Sequence, residues 1–599
     1  MLYSGMEHRS QLPAGPEALA CKGRTDRLAL PDHWDDELRF SAHRTRWQVA
    51  AGWRTILFGP EGLRWEALGM GRSVTAIKRG AHRTVYRVEL SGRHVYVKHF
   101  HSKRWLGIAI DLMRGSPARR EGCRLLEIAR RGVPTSRPVA WGERVWCGVV
   151  TESYLVTEAI GSVCRLDEYL SHHVTMLSSN EWPAARRQLF RGLGRWLARI
   201  HEAGIYHRDL HAGNILVSPA ADGDPLHSLD FYLIDAWAVR FGKPLCWPLA
   251  RENLTTLAAI GRDSTTRSER LRFWRNYVAH RSGAGLPDLA SVNAELQTDA
   301  WRFLRRLHRR RDKRSLRTNR DYRAIRGSAA RLHCLQTLSD AVLRELGRDP
   351  DATFWKHIEQ PVKLSHSSLV VRATLSTSDG PRSVAYKCYR PRNWWKAFCR
   401  LFGGDRALRS WRLGQALYER GIPTARPLVI ISPNRPRFGR RTYLATEWVE
   451  GAENLHLYGW RLAKADEAQR GRQAARCARS LGRLLGRMHA WGISHGDLKA
   501  TNLLVVDRGE QIETYVIDTD DVRLTRHQPP KTAAADLARL AAGLAAHPWV
   551  SRTMCCRFLR EYARQFPRGT IDWKQFWKEI SRSAARIAAR KRRRGETVL

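Results

Sequence analysis

The sequence predicts an α+β chain of two tandem bilobal domains, each a small antiparallel β-rich N-lobe followed by a helical C-lobe. Three observations carry this. A short loop occurs twice, as His207-Arg208-Asp209-Leu210-His211-Ala212-Gly213-Asn214 and as His495-Gly496-Asp497-Leu498-Lys499-Ala500-Thr501-Asn502. Around each copy the same landmarks recur in the same order. Lys98 matches Lys387 and Gly132-Val133-Pro134-Thr135 matches Gly421-Ile422-Pro423-Thr424, both at an offset of 289 residues. Finally, 599 residues are too many for one core, while 43% hydrophobic and 9% aromatic residues suffice for two. So long a period means tandem globular domains, because solenoid repeats run to about 20–50 residues.

Residues 1–70 hold few landmarks and read as an N-terminal extension. The first domain is expected over 71–310, a basic and helical connector over 311–355, the second domain over 356–585 and a polybasic tail over 586–599. From Val74 the chain alternates like paired strands: Val74 to Lys78, a turn near Arg79-Gly80, Thr84 to Val88, then a third strand ending at Lys98. A helix is expected from about Ala118 to Arg131. Tyr154 to Glu158 reads as a buried strand leading to a hinge. An amphipathic helix follows, with Leu193, Leu197 and Ile200 on one face and Arg195 and Arg199 off it. It delivers the chain to His207. The second half repeats the pattern with Leu481, Leu485 and Met488. Between the halves, Arg309 to Arg314 opens the connector, with helical sequence around Leu335 to Leu346. Arg590 to Arg594 reads as a frayed basic end.

The 11 cysteines are scattered without any C-x-x-C, which points to reduced thiols in a cytoplasmic protein rather than a zinc site or disulfide framework. The N-terminal stretch lacks a signal-peptide pattern, and no run approaches a membrane span, so no transmembrane helix is expected. The formal net charge is +45, from 103 basic and 58 acidic residues, beside 23 tryptophans. Such a surface seeks polyanions. No nucleic-acid-binding motif accompanies it, so nucleic acid is not the expected partner. An anionic membrane surface fits better. His101 to Arg114 and Arg390 to Phe402 each set basic residues and Trp beside an apolar helical run, just after Lys98 and Lys387. Such segments either lie in a lipid interface or pack on their own lobe.

The chemistry follows from spacing. In each loop an Asp precedes an Asn by five residues, and a second Asp closes an apolar run, Leu233-Ile234-Asp235 and Val516-Ile517-Asp518. Phosphoryl transfer needs phosphates held, their charge neutralised by metal, and an acceptor hydroxyl aligned near a base. In the first domain Lys98 is placed to hold the α- and β-phosphates of ATP, Glu121 to fix that lysine, Asp209 to serve as base, and Asn214 with Asp235 to hold Mg²⁺ or Mn²⁺. In the second domain Lys387, Asp497, Asn502 and Asp518 take the same roles. Lys499, two residues after the base, is placed to stabilise the transferring group. The phosphate-covering loops are degenerate: Gly80 to Thr84 has one glycine and Ser365 to Ser368 none. Glu121 is matched by Ser410, so Lys387 lacks its expected partner. The second domain is then weakly active, uses another acid such as Asp520, or only binds nucleotide.

The domains are thus protein-kinase-like, and the chain resembles the bacterial lipopolysaccharide kinase family. The matching residues are His495 to Asn502, Ile517-Asp518-Thr519-Asp520-Asp521, the segment at 421–427, Asp536 to Leu540 and the run around Lys387. The resemblance implies an ATP-dependent phosphotransferase acting on a Kdo- or heptose-type sugar hydroxyl of lipopolysaccharide core or a similar anionic glycolipid. It also implies a cytoplasmic enzyme in peripheral contact with the inner face of the inner membrane. Two alternatives stay open. One is a protein Ser/Thr kinase, although Asp235-Ala236-Trp237 and Asp518-Thr519-Asp520 stand where an Asp-Phe-Gly would be expected. The other is a nucleotide-binding pseudokinase scaffold in at least one half.

Overall fold

The computed structural model describes residues 39–60, 62–63, 65, 74–80, 82–101, 115–172, 182–219, 229–261, 265–282, 286–327, 330–356, 361–364, 368–389, 406–434, 441–525, 530–544, 546–566 and 570–593. The chain divides into two compact units, Met1–Phe303 and Leu304–Leu599.

Each unit opens with a seven-stranded antiparallel sheet. In the first the strands are β1 (Arg39–Ala42), β2 (Thr45–Val49), β3 (Val74–Arg79), β4 (Arg83–Leu90), β5 (Arg93–Phe100), β6 (Pro138–Trp146) and β7 (Val149–Glu158), in the order β1-β2-β6-β7-β5-β4-β3. In the second they are β8 (Tyr322–Arg326), β9 (Ala330–Leu335), β10 (Pro361–Leu364), β11 (Ser368–Thr377), β12 (Gly380–Tyr389), β13 (Pro427–Pro433) and β14 (Thr442–Glu447), in the order β8-β9-β13-β14-β12-β11-β10. The topology is the same, strand for strand.

The two edge hairpins differ from the sequence expectation. The segment read as an extension supplies β1 and β2, and the segment read as a connector supplies β8 and β9. The reason lies in short alternating runs. In β2 the side chains of Thr45, Trp47 and Val49 are buried, Arg46 is exposed and Gln48 half-buried, so the strand covers the flank of β6. Trp47 packs against Trp65 and Tyr154, and a Cβ added to Gly142 on β6 would meet its ring at 2.6 Å. In the second unit Leu332, Cys334 and Leu335 of β9 are buried beneath the helix Asp340–Arg348. The helical sequence expected near Leu335 to Leu346 therefore begins only at Asp340, after Ser339 caps it.

The C-lobes follow the expected order. The amphipathic helix Trp182–Glu202 buries Leu193, Leu197 and Ile200 and leaves Arg195 and Arg199 exposed. Its counterpart Glu467–Ala490 buries Leu481, Leu485 and Met488. The tail expected to fray is helical through Arg593, as part of Trp573–Arg593. Phe576 and Ile580 anchor that helix in the core, and its Ala- and Arg-rich remainder has strong helix propensity. Parts of both basic, Trp-containing segments (102–114 and 390–402), of both phosphate-covering loops (81 and 365–367) and of the tail (594–599) lie outside the described residues.

Candidate active site

In the first unit Lys98 sits on the interior strand β5, opposite Val85 of β4 and Leu155 of β7. The helix Pro117–Arg130 starts at Ser116, whose Oγ accepts from the amide of Arg119 at 3.2 Å. One turn in, the Glu121 side chain is fully buried, with Oε1 at 2.5 Å from Lys98 Nζ. A buried carboxylate is tolerated only beside a cation, so burial enforces the expected pair.

The Gly-Val-Pro-Thr segment proves to be a brace. Pro134 O accepts from Leu233 N at 2.9 Å, and Thr135 Oγ1 donates to Leu233 O at 2.5 Å. These bonds fix the strand Leu229–Leu233 just before Asp235. Thr424 Oγ1 donates to Val516 O at 2.8 Å, and Val516 N reaches Pro423 O at 3.0 Å, in the second unit. Beyond each strand the strand-end aspartate adopts a left-handed backbone, with φ of 61° at Asp235 and 62° at Asp518. That is a strained choice for a non-glycine residue. It is held by the loop histidines: His207 Nε2 donates to Asp235 O at 3.2 Å, and His495 Nε2 to Ile517 O at 3.0 Å.

Asn214 Nδ2 donates to Asp209 O at 2.9 Å, and Asn502 Nδ2 to Asp497 O at 2.9 Å. Both bonds turn the amide oxygen, the atom a hard cation takes, to the other side of the group. Asp209 Oδ1 is buried without a hydrogen-bond partner. Burial first, and the nearby Asp235 second, raise its carboxyl to about 6. The carboxylate of Asp235 is engaged at both oxygens by Arg83, at 3.0 and 3.1 Å, and Lys98 Nζ stands 3.5 Å away. Burial pushes this carboxyl up, but Lys98 and Arg83 outweigh that and hold it far below the usual range.

In the second unit the lysine partner is the acid raised as an alternative. Lys387 Nζ lies 2.9 Å from Asp518 Oδ1 and 2.8 Å from Asp520 Oδ2. Asp520 Oδ1 accepts from Tyr389 OH at 2.7 Å and from Ser410 Oγ. Arg406 Nε approaches Oδ2 at 3.0 Å. The Asp520 carboxylate thus fills the buried place that Glu121 fills in the first unit, and Ser410 donates to it rather than leaving a gap. The residue matching Asp520 in the first unit is Trp237, over whose ring the guanidinium of Arg120 stands at 5.2 Å. Lys499 Nζ lies 2.9 Å from Asp497 Oδ2, and the Asp497 side chain is 45% exposed, open to an acceptor.

The sequence reading gave no role to one loop support in each unit, although Asp536 was among the residues that carried the resemblance. Asp536, on the helix Pro530–Leu544, accepts from Ser494 Oγ and His495 N at 2.8 Å and from Gly496 N at 3.1 Å. Gly496 has φ of 78°, and a Cβ there would meet Asp521 O at 2.5 Å. In the first unit Asn253 holds His207 through N at 3.2 Å and O at 2.9 Å. Each stands 18 residues after its strand-end aspartate, and Asp536 is a lone acid in an Ala/Leu-rich run. That was the available signal.

Burial raises the Asp536 carboxyl, but His489, Ser494 and the His495 amide reverse this and bring it from 3.8 down to about 2. Its contribution to stability is therefore present above 3.8 and is lost as pH falls toward 2. Asp536→Asn is expected to cost about 1–3 kcal/mol in urea unfolding at pH 7, because an NH₂ then faces N–H donors. The gap from wild type should narrow below about pH 4. A gap that is independent of pH would remove the carboxylate from this role.

The chain matches the lipopolysaccharide kinase (Kdo/WaaP) family over residues 71–236 and 361–562, one span in each unit. It is 26% identical over 242 residues to the lipopolysaccharide core heptose(I) kinase WaaP of Pseudomonas aeruginosa, covering 38% of this chain and 85% of the relative. It is 30% identical over 174 residues to the 3-deoxy-D-manno-octulosonic acid kinase of Actinobacillus succinogenes, covering 29% and 62%. Similar solved structures include WaaP in complex with acyl carrier protein, at 22% identity and a TM-score of 0.33 over 43% of this chain and 98% of that one. The BubR1 kinase domain is also similar, at 14% identity and a TM-score of 0.24 over 45% and 84%. With both units matched, and with lysine, loop aspartate, asparagine and strand-end aspartate gathered in each, the chain belongs to the lipopolysaccharide kinase (Kdo/WaaP) family of phosphotransferases.

Proposed function

We propose that the chain transfers the γ-phosphoryl group of ATP to a Kdo- or heptose-type sugar hydroxyl of a lipopolysaccharide core or similar anionic glycolipid. The observation that carries this is the second-unit site, where Lys387, Asp497, Lys499, Asn502 and Asp518 converge with an exposed base. Lys387 is held charged: burial would lower its pKa, but Tyr389, Asp520 and Asp518 raise it. It is therefore fit to bind the α- and β-phosphates. Asn502 and Asp518 offer the hard oxygen donors that Mg²⁺ or Mn²⁺ takes together with substrate phosphates, and such an ion, when bound, neutralises charge on the phosphates. Asp497 orients the sugar hydroxyl and receives its proton as the hydroxyl oxygen bonds to phosphorus and the bond to the ADP oxygen breaks. Lys499 offers its charge to the equatorial oxygens of the transferring group.

The net charge of +45 supports an anionic acceptor and peripheral work at the inner face of a membrane. No helix among the described residues is long and apolar enough to cross one. The test is phosphate transfer from ATP by the full chain to defined lipopolysaccharide-core acceptors, with a generic protein substrate alongside. Transfer to the glycan, abolished by EDTA, is expected. Transfer to the protein substrate alone would overturn the sugar assignment in favour of a protein kinase.

A further inference from the structure

The second catalytic loop has an aromatic neighbour that holding and transferring phosphate does not require. The helix Leu455–Ala463 packs against the 3₁₀ turn Ala500–Asn502, which carries the asparagine of the site. The helix Pro530–Leu544 packs against the same turn. On the first of these helices Trp460 is 48% exposed and Leu457 54%. His547, in the turn after the second, is buried. Its ring is seated on the first helix at Gly459, where a Cβ would meet it at 2.7 Å.

The Trp460 indole is exposed but held. Its Nε1 lies 3.3 Å from His456 Nε2, and His456 Nδ1 lies 3.3 Å from His547 Nε2. An indole N–H can only donate. His456 Nε2 therefore accepts, its Nδ1 carries the proton and donates to His547, and His547 keeps its own proton on Nδ1. The rings of His547 and Trp460 meet edge to face, with centroids 5.1 Å apart. His547 Nδ1 is buried without a hydrogen-bond partner among the described residues. A buried donor left unpaired destabilises, so stability alone does not account for the arrangement. Its result is a large aromatic face fixed in one orientation at the surface, on a helix that touches the catalytic loop.

The first domain carries different residues at these places. At the same offset of 289 (456 − 167, 457 − 168 and 460 − 171), Asp167, Glu168 and Ser171 stand where the second domain has His456, Leu457 and Trp460. An acidic helix start disfavours an anionic glycan, whereas an indole does not. A pyranose ring presents a face of C–H groups whose weakly positive hydrogens are drawn to the electron-rich face of an aromatic ring. A ring already fixed loses little side-chain freedom when the sugar arrives.

We infer that Trp460 is the stacking platform for a pyranose ring of the glycan acceptor, held in place by His456 and His547. This rests on the sugar-kinase reading of the chain and deepens it. It names an acceptor subsite and gives that subsite to the domain whose base is exposed.

The experiment is steady-state transfer from ATP to a deacylated, water-soluble lipopolysaccharide-core oligosaccharide by the full-length chain. Calorimetric titration with the same oligosaccharide, without ATP, accompanies it. Trp460→Ala should raise the KM for the oligosaccharide about tenfold, with kcat within threefold and the KM for ATP within twofold of wild type. Oligosaccharide binding should weaken by the same factor. Trp460→Phe should restore most of both, whereas Trp460→Leu, apolar but without a π face, should not. An unchanged oligosaccharide KM in Trp460→Ala overturns the inference and leaves the kinase reading standing. So does an equal rise in the KM for ATP, or a rescue by Leu as good as that by Phe. If Trp460→Ala impairs only transfer to acceptor embedded in vesicles, the ring is a membrane contact and the sugar platform is excluded. If the wild-type chain phosphorylates no core oligosaccharide, the sugar-kinase reading falls and the inference with it.

Discussion

Asp497→Ala is expected to lower phosphoryl transfer to the sugar acceptor by about 10²–10⁴-fold, the range that a positioned general base contributes. The loss should fall on kcat, with the KM for ATP within about threefold of wild type, because in the proposed mechanism the aspartate meets the acceptor hydroxyl and Lys387 the phosphates. The structure supports this division. Asp497 is carried on a loop whose backbone is fixed from below by Asp536 and from within by Asn502, so removing its side chain leaves the frame intact. Asp497→Asn keeps the shape without the basicity and should fall as far. Lys499→Met, which removes the charge 2.9 Å from the base, should cost less than either. A chain with Asp497→Ala that works within threefold of wild type would exclude the second domain as the seat of transfer.

Most of this site could be read from the sequence because its parts are tied to short, local spacings. Five residues from Asp497 to Asn502 span one loop and its 3₁₀ turn, and Asp518 follows directly on a strand that must pair with Leu503 to Asp507. Local geometry of that kind survives in any sequence able to form it. Arg83 and Asp520 were harder, because their meaning depends on tertiary contact. Arg83 is one arginine in a chain full of them, 152 residues from the aspartate it grips. Asp520 replaces a helix glutamate from 110 residues beyond Ser410, so the sequence offered it as one alternative acid and only the fold brings it to the lysine. The edge hairpins were missed for another reason. Strands of four to six residues carry too few alternations to stand out beside Arg-rich loops, and only the neighbouring strand reveals which face they bury.

The Asp520 contacts set up the second large effect. Asp520→Ala is expected to destabilise the second domain by about 3–5 kcal/mol, the cost of breaking a buried ion pair from one side. That corresponds to roughly 6–20 °C in Tm for a domain of this size. The side chain is 3% exposed, and its loss removes the acceptor for Lys387, Arg406, Tyr389 and Ser410 together. Affinity for ATP should fall at least tenfold, since Lys387 is then free to swing onto Asp518 alone. The first domain supplies the repair. There the acid comes from the helix, at the position of Ser410, and reaches its lysine at 2.5 Å. Adding Ser410→Glu to Asp520→Ala should therefore recover most of the lost Tm and ATP affinity, with Tyr389 OH donating to the new carboxylate. Ser410→Glu alone should instead destabilise, because it crowds a second carboxylate against Asp520. If the double variant is no better than Asp520→Ala in either measurement, the two acids are not interchangeable anchors. If Ser410→Glu alone raises ATP affinity, the second domain is short of a carboxylate after all, and the pairing of Lys387 with Asp520 is not what holds the lysine in place.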